Sequence, residues 1–340
     1  MMAILKERSS SSSSSEKEIK TIYFRVKKHK YDKNSGFEWY VMGTSSGTTS
    51  DGEVGGEKPS PRLFSKMPHN FRHFSSCVAW GHIIYMFGGD YKNPSPEVFY
   101  LDVRCPDPGW KRGPPMSVGR TRPYAAVIDG KIYVMGDLCK RPNPWGEVFD
   151  PLLNQWKPLP TIPGKEKDDH HHRVSTHAVL KGGKQFLVLP IRSKCLYLYD
   201  VEGESWSVFH DHFGSRKGGL ETPCVVVDDI MYCFARRVLA YDLVRRRWFS
   251  EPVKGLEGRG VSPPLWEKGY GSLERTHHKA FLVHVGNGKL CLFWNAGCEV
   301  HCTKFRISKH SDGEEEHKLH AIIESLFVTT IDNAGEIEDC

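Results

Sequence analysis

Three places in the sequence gather side chains that bind metals or move protons. His170, His171 and His172 follow Asp168 and Asp169; His277 adjoins His278; and His301 stands near Cys298 and Cys302. Imidazole, thiolate and carboxylate are ligands for zinc and copper, but a site needs three or four of them converging on one point. Consecutive histidines in a loop point in different directions, and no second cluster is tied to them by spacing. Residues 300–306 read as a strand, whose alternation sends His301 and Cys302 to opposite faces. No metal ligand, catalytic residue or cofactor is therefore assigned. The nucleophile elbow, the phosphate loop and the dinucleotide fingerprint are all missing from the sequence.

A different chemistry is spread more evenly. Arg72, Arg122, Arg173 and Arg275 recur along the chain, with Glu221 taking the place of a fifth. Lys92, Lys140, Arg141, Arg192, Lys194, Arg236 and Arg237 fall between them. Guanidinium and ammonium groups bind carboxylates and phosphates, the former bidentately. What these cations can hold depends on the elements that carry them.

Those elements repeat. Trp110, Trp156, Trp206 and Trp248 are separated by 46, 50 and 42 residues. Asp150, Asp200 and Asp242 each precede their tryptophan by six residues, and Asp102 precedes Trp110 by eight, with Pro106 and Pro108 inside the longer interval. Upstream of each pair lie two apolar runs separated by a short turn of Gly, Asp, Asn or Lys, for example YAAVI, DG, KIYVMGD over 124–137. This is a hairpin signal. Each unit is thus a hairpin, a third strand ending in an aromatic and Asp, and a fourth carrying Trp. Four antiparallel strands in 40 to 50 residues make one propeller blade.

The pattern resembles the kelch repeat, marked by an apolar run ending in Gly-Gly and then by Tyr and Trp at set distances. Gly88-Gly89, Tyr85, Tyr133, Tyr199, Tyr241 and the four tryptophans carry the likeness. Gly136-Asp137, Leu189-Pro190 and Ala235-Arg236 replace the Gly-Gly later in the chain, so the glycine-dependent turn is expected to differ there. PPMSVGRTRPYAAVIDGKIYVMG over 114–136 is similar to plant F-box/kelch-repeat proteins, in which an F-box recruits a ubiquitin-ligase scaffold and the propeller holds the substrate. An F-box needs about 40 residues of amphipathic helix, which the polar residues 1–20 do not supply. The resemblance therefore implies the substrate-holding part, with ligase components as indirect partners.

The expected fold is all-β: a kelch-type propeller over 20–331, preferably of six four-stranded blades, with five or seven left open. Blades are placed at about 72–118, 122–163, 173–213, 221–253 and 275–324. A sixth is formed by 21–68 and closed by the C-terminal run 325–331 (SLFVTTI). Residues 1–19, with seven consecutive serines from Ser9 to Ser15, are expected to be a disordered tail, and 332–340 an acidic one.

In such a disc, the connections between blades share one rim with the loops joining second to third strands. All eleven basic residues named above fall on that rim, where they would bind an acidic or phosphorylated protein. The blade-start arginines can also brace neighbouring blades through backbone carbonyls, and the two roles can coexist. Arg245, Arg246 and Arg247 lie in a turn on the opposite rim and read as solvated. The net charge of +6 over 340 residues gives no separate reason to expect nucleic acid. No run of about 18 apolar residues points to a membrane, and the chain is expected in cytoplasm or nucleus. Two alternatives to a protein-binding module stay open. One is a metal-dependent enzyme like galactose oxidase, which shares the architecture but whose ligand contexts do not map onto this chain. The other is a carbohydrate-binding propeller, which would expose Trp145 and Trp266.

Overall fold

The structure is a computed structural model. It describes residues 2–4, 21–28, 37–43, 61–67, 74–136, 144–163, 174–191, 193–213, 220, 222–263, 280–296, 298–310, 318–331 and 334–337. Every regular element among these is a β-strand apart from a single helical-turn residue, and the strands form six antiparallel sheets. No helix of the described residues is long and apolar enough to cross a membrane.

Blade one contains Thr21–Lys28, Phe37–Gly43 and Arg62–Lys66. Blade two is Ser76–Trp80, Ile83–Phe87, Val98–Asp102 and Lys111–Arg112. Blade three is Tyr124–Ile128, Lys131–Met135, Gly146–Asp150 and Gln155–Pro158. Blade four is Val174–Val179, Gln185–Pro190, Leu196–Asp200 and Ser205–His210. Blade five is Val225–Val227, Ile230–Ala235, Arg237–Asp242 and Arg247–Trp248. Blade six is Ala280–Gly286, Lys289–Ala296, Glu299–His310 and Lys318–Thr330.

The Asp-to-Trp spacing is a consequence of hairpin register. Asp150 lies opposite Gln155, so Phe149 before it faces Trp156; likewise Tyr199 faces Trp206 and Tyr241 faces Trp248. The carboxylate holds the intervening turn: Asp150 accepts the N–H groups of Leu152 and Leu153, and Asp242 those of Val244 and Arg245. The indoles then reach across to the preceding blade. Trp156 Nε1 donates to the carbonyl of Pro114, Trp206 to that of Pro160 and Trp248 to that of Phe213. A tryptophan every 40 to 50 residues is thus a peg between neighbours, adding a hydrogen bond of about 1 kcal/mol net to the apolar area it covers.

Apolar side chains collect into six clusters, each shared by two consecutive blades, and one of them joins blade six to blade one. In that last cluster Phe24 and Phe293 meet edge to face at 5.1 Å. The ring is closed.

The strand that seals it is not the expected one. Residues 325–330 continue the outer strand Lys318–Thr330 of blade six, paired from Thr330 opposite Glu299 to Lys318 opposite His310. The innermost position of blade one is filled instead by two short strands meeting end to end along Thr21–Lys28. Met2–Ile4 runs opposite Phe24 to Ile22, and Ala334–Ile337 runs opposite Lys28 to Val26. Both lie in segments that the sequence reads as tails. Runs of three and four residues carry no readable periodicity, whereas 325–331, rich in β-branched and aromatic residues, reads as a strand wherever it pairs.

Candidate functional site

Blades two and three show how the rim of second-to-third-strand loops is built. Arg120, in the connection between them, is wholly buried. Its Nη1 donates to the carbonyls of Trp145 (2.8 Å) and Gly136 (3.2 Å), and its Nη2 to the Pro144 carbonyl (2.7 Å) and Glu147 Oε1 (2.8 Å). Glu147, also buried, accepts the Ser117 N–H with its other oxygen. The Arg120 backbone closes the knot, donating to the Ser95 carbonyl and accepting from the Gly89 N–H. Gly88, at φ +69°, must be glycine, since a Cβ there would run into the Arg120 carbonyl. One residue therefore stitches together two strand-joining loops and the connection between blades. With its guanidinium enclosed and paired, Arg120 is structural.

At the start of blade three the expected bracing role falls to Arg120. Arg122, two residues on, donates its N–H to the Phe74 carbonyl (2.6 Å) and lays its guanidinium over the Phe74 ring, 5.5 Å from the centroid. Phe74 and Arg122 have left-handed φ values, 64° and 48°, and each stands two residues before the first strand of its blade. Counted from those strands, the position of Arg72 corresponds to Arg120 and not to Arg122. The hairpin register was the signal that would have found Arg120.

Of the other rim cations, Lys92 and Lys194 are exposed in the loops of blades two and four. Arg236 and Arg237 form the corresponding turn of blade five and are likewise exposed. Arg72, Lys140, Arg141, Arg173, Arg192 and Arg275 lie outside the described residues, as do 168–172, His277, His278, Trp266 and residues 44–60.

The turn of blade five keeps the backbone of the glycine turns while losing the glycine. Ala235 pairs with Arg237, leaving Arg236 alone at the apex with φ 65°. Gly88 and Gly136, which follow the second strands of blades two and three, have φ 69° and 71°. The expectation of a different turn holds for its length and fails for its left-handed residue. An arginine there carries strain of about 1–2 kcal/mol that glycine would not.

Beside this turn, a cavity of about 770 Å³ opens between blades five and six. Its floor is apolar, with Phe234, Val238, Leu256, Leu292 and Trp294, while Arg236, Arg237 and Arg259 line it as cations. Among the described residues none of these three arginines has an ion-pair partner. His301, 5% exposed, stacks on Trp294 with centroids 3.9 Å apart and planes 10° apart. Neither of its ring nitrogens has a hydrogen bond, although Nε2 stands 3.3 Å from the Glu299 carboxylate. Arg259 was missed because it lies in the irregular connection after blade five, where no period points to it.

Among the described residues, the metal-ligand candidates around His301 do not assemble. His301 faces the cavity, while Cys302 packs on the other side of the strand in the cluster shared with blade one. Among the described residues no three of His, Cys, Asp and Glu converge. Trp145, a candidate for an exposed sugar platform, is 4% exposed and packs edge-on against Trp206 at 5.5 Å. The repeat tyrosines are core groups as well: burial pushes the phenols of Tyr85, Tyr199 and Tyr241 up to about 12.

Comparison with known proteins supplies a further observation. Residues 39–320 match the family described as FKB95, Kelch-repeats domain. Three F-box/kelch-repeat proteins of Arabidopsis thaliana are similar to the chain. One is 28% identical over 236 residues, covering 67% of this chain and 56% of the relative. A second is 29% identical over 246 residues, 69% and 55% respectively, and a third 27% over 305 residues, 84% and 68%. The chain spans about half the length of the first two.

Proposed function

Because the chain belongs to the FKB95 kelch-repeats domain family, we propose that it is a non-enzymatic interaction module whose rim of second-to-third-strand loops and blade connections captures a protein. The relatives are named F-box/kelch-repeat proteins, which supports the further reading that the captured protein is a substrate or scaffold component in a ubiquitin-ligase setting. The partner presents acidic or phosphorylated residues, and the encounter takes place in cytoplasm or nucleus.

One contrast carries this reading. On the same rim, Arg120 is buried and bonded to carbonyls and a carboxylate, whereas Arg236 and Arg237 stand exposed, unpaired among the described residues, on a strained turn. Guanidinium groups held outward at a conformational cost are suited to bidentate recognition of anions. Arg72, Arg122, Arg173, Arg275, Lys92, Lys140, Arg141, Arg192 and Lys194 complete the proposed docking set.

Charge reversal tests it. The variant K92E/K194E/R236E/R237E should keep the melting temperature of the parent within about 2 °C, since exposed charges contribute little to folding. Affinity purification with quantitative mass spectrometry should then show the parent's specific partners lost from the variant. Recovery of the same partners at the same abundance by both proteins would reject the basic rim as the docking surface.

A further inference from the structure

We propose that the cavity between blades five and six is a binding site for a small organic acid, with an apolar body on the floor and a carboxylate held by the arginines at the rim. The size of the space comes first. About 770 Å³ lies within the 300–1,000 Å³ range of small-molecule sites and is several times what one docking side chain would fill.

The lining selects the chemistry. Phe234, Leu292 and Trp294 offer aromatic and aliphatic area, while Arg236, Arg237 and Arg259 offer planar donor forks. Two carboxylates, Glu257 and Glu299, share the cavity wall with the three arginines. Glu257 accepts the Gly255 N–H at 2.7 Å, and a Glu299 oxygen stands 3.3 Å from His301 Nε2 without making a hydrogen bond to it. Three cations against two anions leave the lining with an excess of positive charge and so a preference for a negative ligand.

Two independent features mark it as a place built to hold something. His301 is more than nine-tenths buried and lines the cavity with both ring nitrogens lacking hydrogen bonds. A neutral imidazole has one donor and one acceptor to offer, and leaving both unused in a buried position is costly. A ligand hydroxyl or carboxylate oxygen would satisfy them. Arg236 is the second feature, because an arginine stands at a left-handed apex where the turns of blades two and three use glycine. Backbone strain of this kind concentrates where a side chain is needed for binding.

The site does not depend on protein capture at the rim, and its test is separate. Isothermal titration calorimetry on the full chain would use 1-naphthoate, 2-naphthoate, indole-3-carboxylate and decanoate as probes. 1-Naphthalenemethanol serves as the uncharged control and acetate as the control without a body. At least one of the four acids should bind, with 1-naphthalenemethanol about tenfold weaker or worse and acetate giving no heat. R236G/R237A should weaken the acid about tenfold while melting at or above the parent temperature, because the glycine relieves the turn. Ser262→Trp, which fills the cavity from its wall, should abolish binding with the arginines intact. The proposal is overturned if none of the four acids binds at about millimolar concentration, if acid and alcohol bind alike, or if both variants bind as the parent does.

Discussion

His177 sits on the innermost strand of blade four, its ring edge-on to Tyr124 at 5.3 Å and its Nδ1 without a hydrogen bond. Burial pushes its pKa down from 6.5 to about 4. The unfolded chain therefore takes up a proton below pH 6.5 that the folded protein refuses until about pH 4. Stability conferred by the neutral ring is complete above 6.5 and falls through that window, by about 3 kcal/mol in all. His177→Leu should remove this slope: urea unfolding from pH 7 to pH 4 should show the parent losing about 3 kcal/mol more than the variant. Parallel pH profiles would show that the ring is not held neutral. In the sequence this residue opens the apolar run HAVL over 177–180, and nothing in that run distinguishes a histidine that faces the core from one that faces water. Arg120 was concealed for a related reason. Its distance from Arg122 is two residues, which is the period of a strand, and only the hairpin register separates the two.

At the level of the element, the turns are where sequence and structure part company most usefully. Asp150, Asp200 and Asp242 were legible as a repeat because a hairpin of fixed register forces the six-residue interval to Trp. The left-handed residue in the turn of blade five is hidden in the sequence, which lacks glycine there while the backbone still visits the glycine region at Arg236. Arg236→Gly should stabilise the protein by about 1 kcal/mol, read as a higher urea midpoint at unchanged slope. A lower midpoint would mean that the arginine pays its conformational cost with contacts made inside the fold. The cavity beside this turn was illegible for a plainer reason. Its walls come from two blades and an aperiodic connection, and no single stretch of chain carries them all.

Across the whole molecule, five tryptophan- or hairpin-marked repeats were enough to foresee a six-bladed ring, but not the strand that completes it. A short strand at each end of the described chain does that, and the Ala334–Ile337 pairing at Val26 and Lys28 supplies the C-terminal half of the seal. Ending the chain after Asn333 should lower the melting temperature by about 5 °C, as a few net hydrogen bonds of about 1 kcal/mol each are lost. Calorimetry showing no change would mean that the apolar cluster joining blades one and six holds the ring without it. Ile337 lies opposite Val26 and Met2 opposite Phe24, so the two strands approach each other beside Arg25 and run in the same direction. Traction on either one is borne first by the few backbone bonds of that ladder and reaches the packing between blades only afterwards. Under load, the disc should therefore give way at its hub before its circumference.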